Sequence, residues 1–135
     1  MSYISRTDFG SIVINDKVIV KMIIENLLEM QNVVIMCNRK GKAIKDKPTP
    51  FIDSDYYDAV EYTETIKKHT VDIYILVKFG ESITEITNKI AEETAAIFDE
   101  FNLDKPEKIN IHIKGLRMSR NRIVKRELDI EHKYD

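Results

Sequence analysis

The stretch Thr70-Val-Asp-Ile-Tyr-Ile-Leu-Val-Lys-Phe-Gly80 decides the fold. Val71, Ile73, Ile75, Val77 and Phe79 recur at every second position, the period that sets one apolar row on a single sheet face. The chain turns at Gly80 into Ser82-Ile-Thr-Glu85. Ser82 and Glu85 have the spacing of a capping box, in which each side chain satisfies a backbone amide left free at a helix start. Ile83, Ile86, Ile90, Ala91, Thr94, Ile97, Phe98 and Phe101 follow at helical spacing, an apolar stripe of about five turns. Leu103-Asp-Lys-Pro106 stops the helix, and Ile109, Ile111 and Ile113 return to period two, with Gly115 closing the regular pattern. Strand, helix and strand therefore follow one another between Thr70 and Gly115 with little slack.

Working upstream, Phe9-Gly-Ser-Ile-Val-Ile14 reads as a short strand. Asn15 or Asp16 then supplies an N-cap oxygen for a helix. Val18, Ile19, Met22, Ile23, Leu27 and Met30 form its apolar stripe, with Lys21, Glu25 and Glu29 turned to water. Val33-Val-Ile-Met36 is a compact β-branched run, a second strand. Tyr57 to Ile66 reads as a further strand that pairs with the Thr70 strand through a turn near Lys67-Lys68-His69. Between these two, residues 39–55 are polar, proline-bearing and unperiodic. That stretch reads as a surface excursion, partly disordered, because it cannot bury enough apolar area to offset its ordering entropy.

The predicted fold is α+β: a two-layer sandwich in which two amphipathic helices cover one face of a mixed sheet of four or five strands. Ferredoxin-like and K-homology-like strand orders both fit the element sequence. Residues 1–116 make one domain, and residues 117–135 read as a charged C-terminal tail. A chain of 135 residues suits one domain, and a hydrophobic fraction of 43% is enough for a packed core.

Net charge is only -2, so no global field points to nucleic acid or membrane. The start Met-Ser-Tyr-Ile-Ser-Arg-Thr-Asp lacks the basic-then-apolar layout of a secretory signal. The most apolar helical window, Val18 to Met30, is too short and too charged to span a bilayer. The expected location is cytoplasmic.

No constellation for catalysis, metal or cofactor emerges. Cys37 is the single cysteine, which excludes an internal disulfide. It ends an apolar run and reads as a small buried hydrophobe. The histidines are His69, His112 and His132, and His112 falls on the polar parity of its strand, a sheet-surface position. Asp53, Asp55 and Glu64 fit three positions of a calcium loop. Tyr57 and Asp58 break the motif where an oxygen ligand and a glycine are needed. The glycines are scattered and none makes a phosphate-binding loop.

One electrostatic cluster has substance. Lys114, Arg117, Arg120, Arg122, Lys125 and Arg126 arrive without an acid until Glu127. Arginine forks suit phosphates of RNA or anionic lipid, and Met118, Ile123, Leu128 and Ile130 are interleaved with them. A solvated tail or a self-paired terminal helix is the plain reading; anion binding and a docking segment are the functional ones. A second basic run, Arg39, Lys40, Lys42, Lys45 and Lys47, has no interleaved aromatics to stack bases.

With its elements placed, the chain resembles the alkaline shock protein family of Gram-positive bacteria, also called the Gls-type general stress family. Gly10-Ser-Ile-Val-Ile14 before the Val18-Ile19 helix, Asp72-Ile-Tyr-Ile-Leu-Val-Lys-Phe-Gly-Glu-Ser-Ile-Thr-Glu-Ile86, and Ile109-Asn-Ile-His-Ile-Lys-Gly-Leu116 carry the likeness. The resemblance implies a small, non-enzymatic cytoplasmic protein tied to envelope stress, self-associating or held at the membrane by an anchored partner. The expected function is thus a stress-related scaffold or adaptor acting through protein contacts, by Arg117 to Arg126 and by sheet edges open to strand addition. An RNA-binding module using the sheet and the basic tail is the alternative.

Overall fold

Val71, Ile73, Ile75 and Val77 are fully buried, and so are Ile109, Ile111 and Ile113, so the two alternating rows face the same core. A computed structural model describes residues 2–7, 10–44, 54–65 and 68–134. The elements run β1 (Ser2–Thr7), β2 (Gly10–Asn15), α1 (Asp16–Leu28), β3 (Val34–Met36), β4 (Val60–Glu64), β5 (His69–Lys78), α2 (Ile83–Glu100), β6 (Lys108–Arg117) and β7 (Ile123–Lys133). Short 3-10 turns cover Ser54–Asp58 and Ser119–Asn121.

The main sheet is mixed and five-stranded, as the α+β reading expects. β5 and β6 are parallel neighbours joined by α2, with Val71 opposite Ile109 and Ile73 opposite Ile111. A split βαβ order would put another strand between the two that α2 joins; here they touch. The other side of β5 is shared along its length. β4 pairs antiparallel with its first half, Val60 opposite Ile73, and β3 with its second, Ile35 opposite Leu76.

Both helices press on the same sheet face. The core cluster joins Ile19, Ile23, Ile24 and Leu27 of α1 to Ile90, Ala91 and Phe98 of α2 and to the inner rows of the strands. α2 starts at the expected N-cap, with the Ser82 half of the capping box in place: Ser82 Oγ accepts a hydrogen bond from the Glu85 backbone N–H at 3.3 Å. In α1 the buried face is turned from the expected stripe. Val18 is 45% exposed, while Val20 and Ile24 are buried. Eight of the 13 residues of α1 are apolar, more than one stripe needs, so packing against α2 and the strands, not periodicity alone, selects the face.

Three regions differ from the sequence reading. The first strand does not join the main sheet. β2 pairs with β1, which the sequence reading missed, in a separate two-stranded sheet. The excursion begins as an ordered turn: Asn38 Oδ1 accepts from the Lys40 and Lys42 amides at 2.9 and 3.0 Å, and Cys37 bridges to Ala43. Its residues 45–53 lie outside the described ones, with Lys45 and Lys47 of the second basic run.

The third difference is the C-terminal stretch, which forms a strand. β7 pairs antiparallel with β6, Ile130 opposite Ile111 and Leu128 opposite Ile113. Leu128, Ile130 and His132 alternate with Asp129, Glu131 and Lys133, a period of two hidden by the charges. Gly115 closes the regular pattern as expected, without ending β6. The strand runs on to Arg117 past a bulge, where the pairing to both neighbours shifts after Ile113.

Candidate interaction surface

The face of the sheet away from the helices carries a polar network. Alternation brings Asp72 and Tyr74 of β5, Asn110 and His112 of β6, and Asp129 of β7 to this side. His112 Nε2 is 2.8 Å from Asp72 Oδ1, and Nδ1 is 2.6 Å from Asp129 Oδ1. Asn110 Nδ2 donates to Asp72 Oδ1 at 3.2 Å. The His112 ring stacks on Tyr74, centroids 4.6 Å apart and planes 15° from parallel. Burial, reinforced by the Asp72 charge, raises the Tyr74 phenol above its ordinary pKa. Arg39 forms an ion pair with Glu61 on β4.

Both imidazole nitrogens of His112 are thus engaged by carboxylates on neighbouring strands. Its polar contacts are carboxylates, not a hydroxyl or thiol in the place a nucleophile would take. Its position on the sheet surface agrees with its parity. The network ties β5, β6 and β7 together.

Cys37 is buried, and burial pushes its thiol up to about 12 against the opposing charge of Lys114. It is a packed thiol, as its place in the apolar run suggested. Among the described residues no group of histidine, cysteine and acidic side chains could hold a metal ion. Of the calcium-loop residues, Asp55 and Asp58 sit on a 3-10 turn and Glu64 on β4, while Asp53 lies outside the described residues.

The six basic residues singled out in the sequence divide. Lys114 occupies the bulge, mostly covered, under Gly41 and with Nζ 3.7 Å from a Glu127 carboxylate oxygen. Lys125 and Arg126 lie on the first half of β7. Arg117, Arg120 and Arg122 gather at one corner, around the turn between β6 and β7. Arg120 sits at its tip in the left-handed region, φ 60°. Met118 N–H donates to the Arg122 carbonyl at 2.6 Å and closes the turn.

The sequence reading missed two members of this corner, Lys78 and Phe79. β5 and β6 are parallel, so their ends meet, and Phe79 N–H donates to the Arg117 carbonyl at 2.9 Å. Phe79 does not continue the inward row. It lies in the turn with Gly80, whose φ of 92° redirects the chain, and it is 60% exposed. Beside the corner is a cleft of about 540 Å³ lined by Leu27, Leu28, Ile35, Ile44, Arg117 and Ile123.

β7 is also an edge. Among the described residues its one strand partner is β6. Tyr134 N–H donates to the Glu107 carbonyl at 2.8 Å, and antiparallel alternation then assigns His132, Ile130 and Leu128 to the ladder with β6. The backbone amides of Asp129, Glu131 and Lys133 point outward.

Fold and surface together define a small α+β protein whose distinguishing features are an open strand edge and a basic, apolar corner. The chain belongs to the alkaline shock protein 23 family, described as having a cell envelope-related function, whose family model matches residues 5–118. The sequence resemblance pointed to this family. No curated protein and no solved structure matches the chain. Among the described residues no helix is long and apolar enough to cross a membrane.

Proposed function

We propose that this protein is a non-catalytic, cytoplasmic adaptor of the envelope stress response that works by adding a strand to the outer edge of β7. The observation that carries this reading is the row of outward amides at Asp129, Glu131 and Lys133 on an 11-residue strand. Such an edge is a template for another backbone unless something blunts it. Its charges favour a second copy of the chain as one occupant. The first half of β7 holds Lys125, Arg126 and Glu127 and is net basic, and the second half holds Asp129, Glu131 and Lys133 and is net acidic. Antiparallel pairing of two copies sets each basic half near an acidic one. An envelope-anchored protein with a free strand is the other occupant, in keeping with the family's cell envelope-related description.

Glu131→Pro tests the edge. It removes an outward N–H and spares the ladder to β6, which edge positions tolerate. Glu131→Ala controls for the loss of its contacts to Lys108 and Lys133. Self-association in sedimentation equilibrium, and crosslinked capture of an anchored partner from the host, should persist in Glu131→Ala and disappear in Glu131→Pro. A wild-type protein that stays monomeric at high concentration and captures nothing would sink the reading.

A further inference from the structure

We infer that the corner built by the β5–α2 and β6–β7 turns binds the surface of an anionic lipid bilayer directly. The segments that form it and run into β7, residues 78–81 and 117–126, carry Lys78, Arg117, Arg120, Arg122, Lys125 and Arg126 against one carboxylate, Glu81. This concentration of positive charge stands in a chain whose net charge is -2. Among the described residues none of these six cations is in an ion pair, whereas Lys114, one bulge away, is paired with Glu127. Their guanidinium and ammonium groups can therefore meet an outside anion at no loss of internal partners.

Apolar side chains share the corner. Phe79 is 60% exposed, and Ile123 and Val124 are each 42% exposed at the start of β7. A cation set with bare apolar groups among it matches the boundary of a bilayer, where phosphates lie above acyl chains. Basic residues close to such a surface are attracted to its anionic headgroups, and the apolar ones enter the interface. The cleft beside Arg117 and Ile123 extends the apolar surface without adding an acid to its lining.

The same observations weigh against single-stranded RNA. Stacking needs aromatic faces along a basic groove. Here the corner offers one exposed aromatic, Phe79, and its other bare groups are aliphatic. Tyr74, on the open sheet face, is already covered by His112.

The inference shares Lys125 and Arg126 with strand addition at β7 but needs neither the outward amides nor a second copy, and the experiment separates the two. The purified chain is mixed with vesicles of equimolar phosphatidylglycerol and phosphatidylcholine, or of phosphatidylcholine alone, and sedimented at low and high salt. A single-stranded RNA oligonucleotide is titrated in parallel. Wild type should bind the anionic vesicles at low salt, release them at high salt, and ignore the neutral ones. Arg120→Gln with Arg122→Gln should weaken binding more than about tenfold, since each basic residue near the surface contributes several-fold. Phe79→Ser should weaken binding at low salt, and Glu131→Pro should leave it unchanged. Far-ultraviolet circular dichroism and a thermal melt establish that the variants fold. Absence of binding to anionic vesicles, equal binding to neutral ones, or tighter binding to the RNA would each overturn the inference.

Discussion

His112 Nε2 lies 2.8 Å from Asp72 Oδ1, a bond between two residues 40 positions apart that locks the two parallel strands at the centre of the open face. The ring's other nitrogen reaches Asp129 on β7, so one side chain spans three strands. Because β7 is held to the domain through β6, this clasp bears on how firmly the open edge is presented.

Replacing His112 with alanine should therefore destabilise the fold by about 1–2 kcal/mol. A hydrogen bond to a charged partner contributes about 1.5–3 kcal/mol and a ring stack about 0.5–1.5, both reduced here by partial exposure. Asp129→Asn should cost about 0.5 kcal/mol or less, since Asp129 is mostly exposed. Urea denaturation measures both. An unchanged midpoint in His112→Ala would mean that solvent replaces the clasp at no cost.

Stability should fall on the alkaline side. Cys37 is raised from 9.0 to about 12, chiefly by burial, so the folded state holds its proton where the unfolded chain releases it. The contribution is complete below pH 9 and is lost as pH rises toward 12, at up to about 1.4 kcal/mol per pH unit. Tyr74 and Tyr134 are raised by burial with the same sign, above pH 10. Denaturation midpoints across this range should drop for the wild type and drop less for Cys37→Ala. At neutral pH the native thiol should resist alkylation until the chain unfolds.

The helix start at Ser82 offers a local check. Ser82→Ala removes the oxygen that accepts the Glu85 amide and should cost about 1 kcal/mol. Ser82→Asp should retain most of the stability, because a carboxylate caps as well and favours the positive end of α2. Equal losses for the two variants would show that the cap hydrogen bond contributes nothing there.

How much could be read in advance follows from which features are local. The rows Val71 to Val77 and Ile109 to Ile113, the Ser82 cap and the α2 stripe repeat at short spacing, and each is where its period places it. Val18 and Phe79 were misjudged because a period gives a face without saying where packing ends it. Phe79 lies one residue past the last ladder residue of β5, and Val18 competes with Val20 for the α1 interior. β7 escaped because Lys125, Arg126 and Glu127 interrupt the alternation at the bulge. The His112 clasp and the corner needed the register of β5 on β6, which joins segments with no local signal between them. Arg117, Arg120 and Arg122 were visible as charges; their meeting with Lys78 and Phe79 was not.

Gly115 decides whether β7 can lie where it does. A Cβ there would stand 2.9 Å from the Val124 carbonyl oxygen, 3.2 Å from Ile123 Cγ2 and 3.2 Å from Leu76 Cδ2. The first contact is with backbone, which cannot move without shifting the strand. The glycine therefore permits the close approach of β7 to β6 just past the Lys114 bulge, and it makes room for buried Leu76. Gly115→Ala should destabilise by about 1–3 kcal/mol, the usual cost of overpacking. Its effect should be largest on β7: amide exchange at Lys125 to Ile130 should accelerate more than at Val71 to Val77. Gly80→Ala is the comparison, because that position has open space but a φ of 92°, so it should cost about 1 kcal/mol and leave β7 exchange unaltered. Uniform acceleration in Gly115→Ala would place the strain in the core, and wild-type exchange would show that β7 moves aside freely.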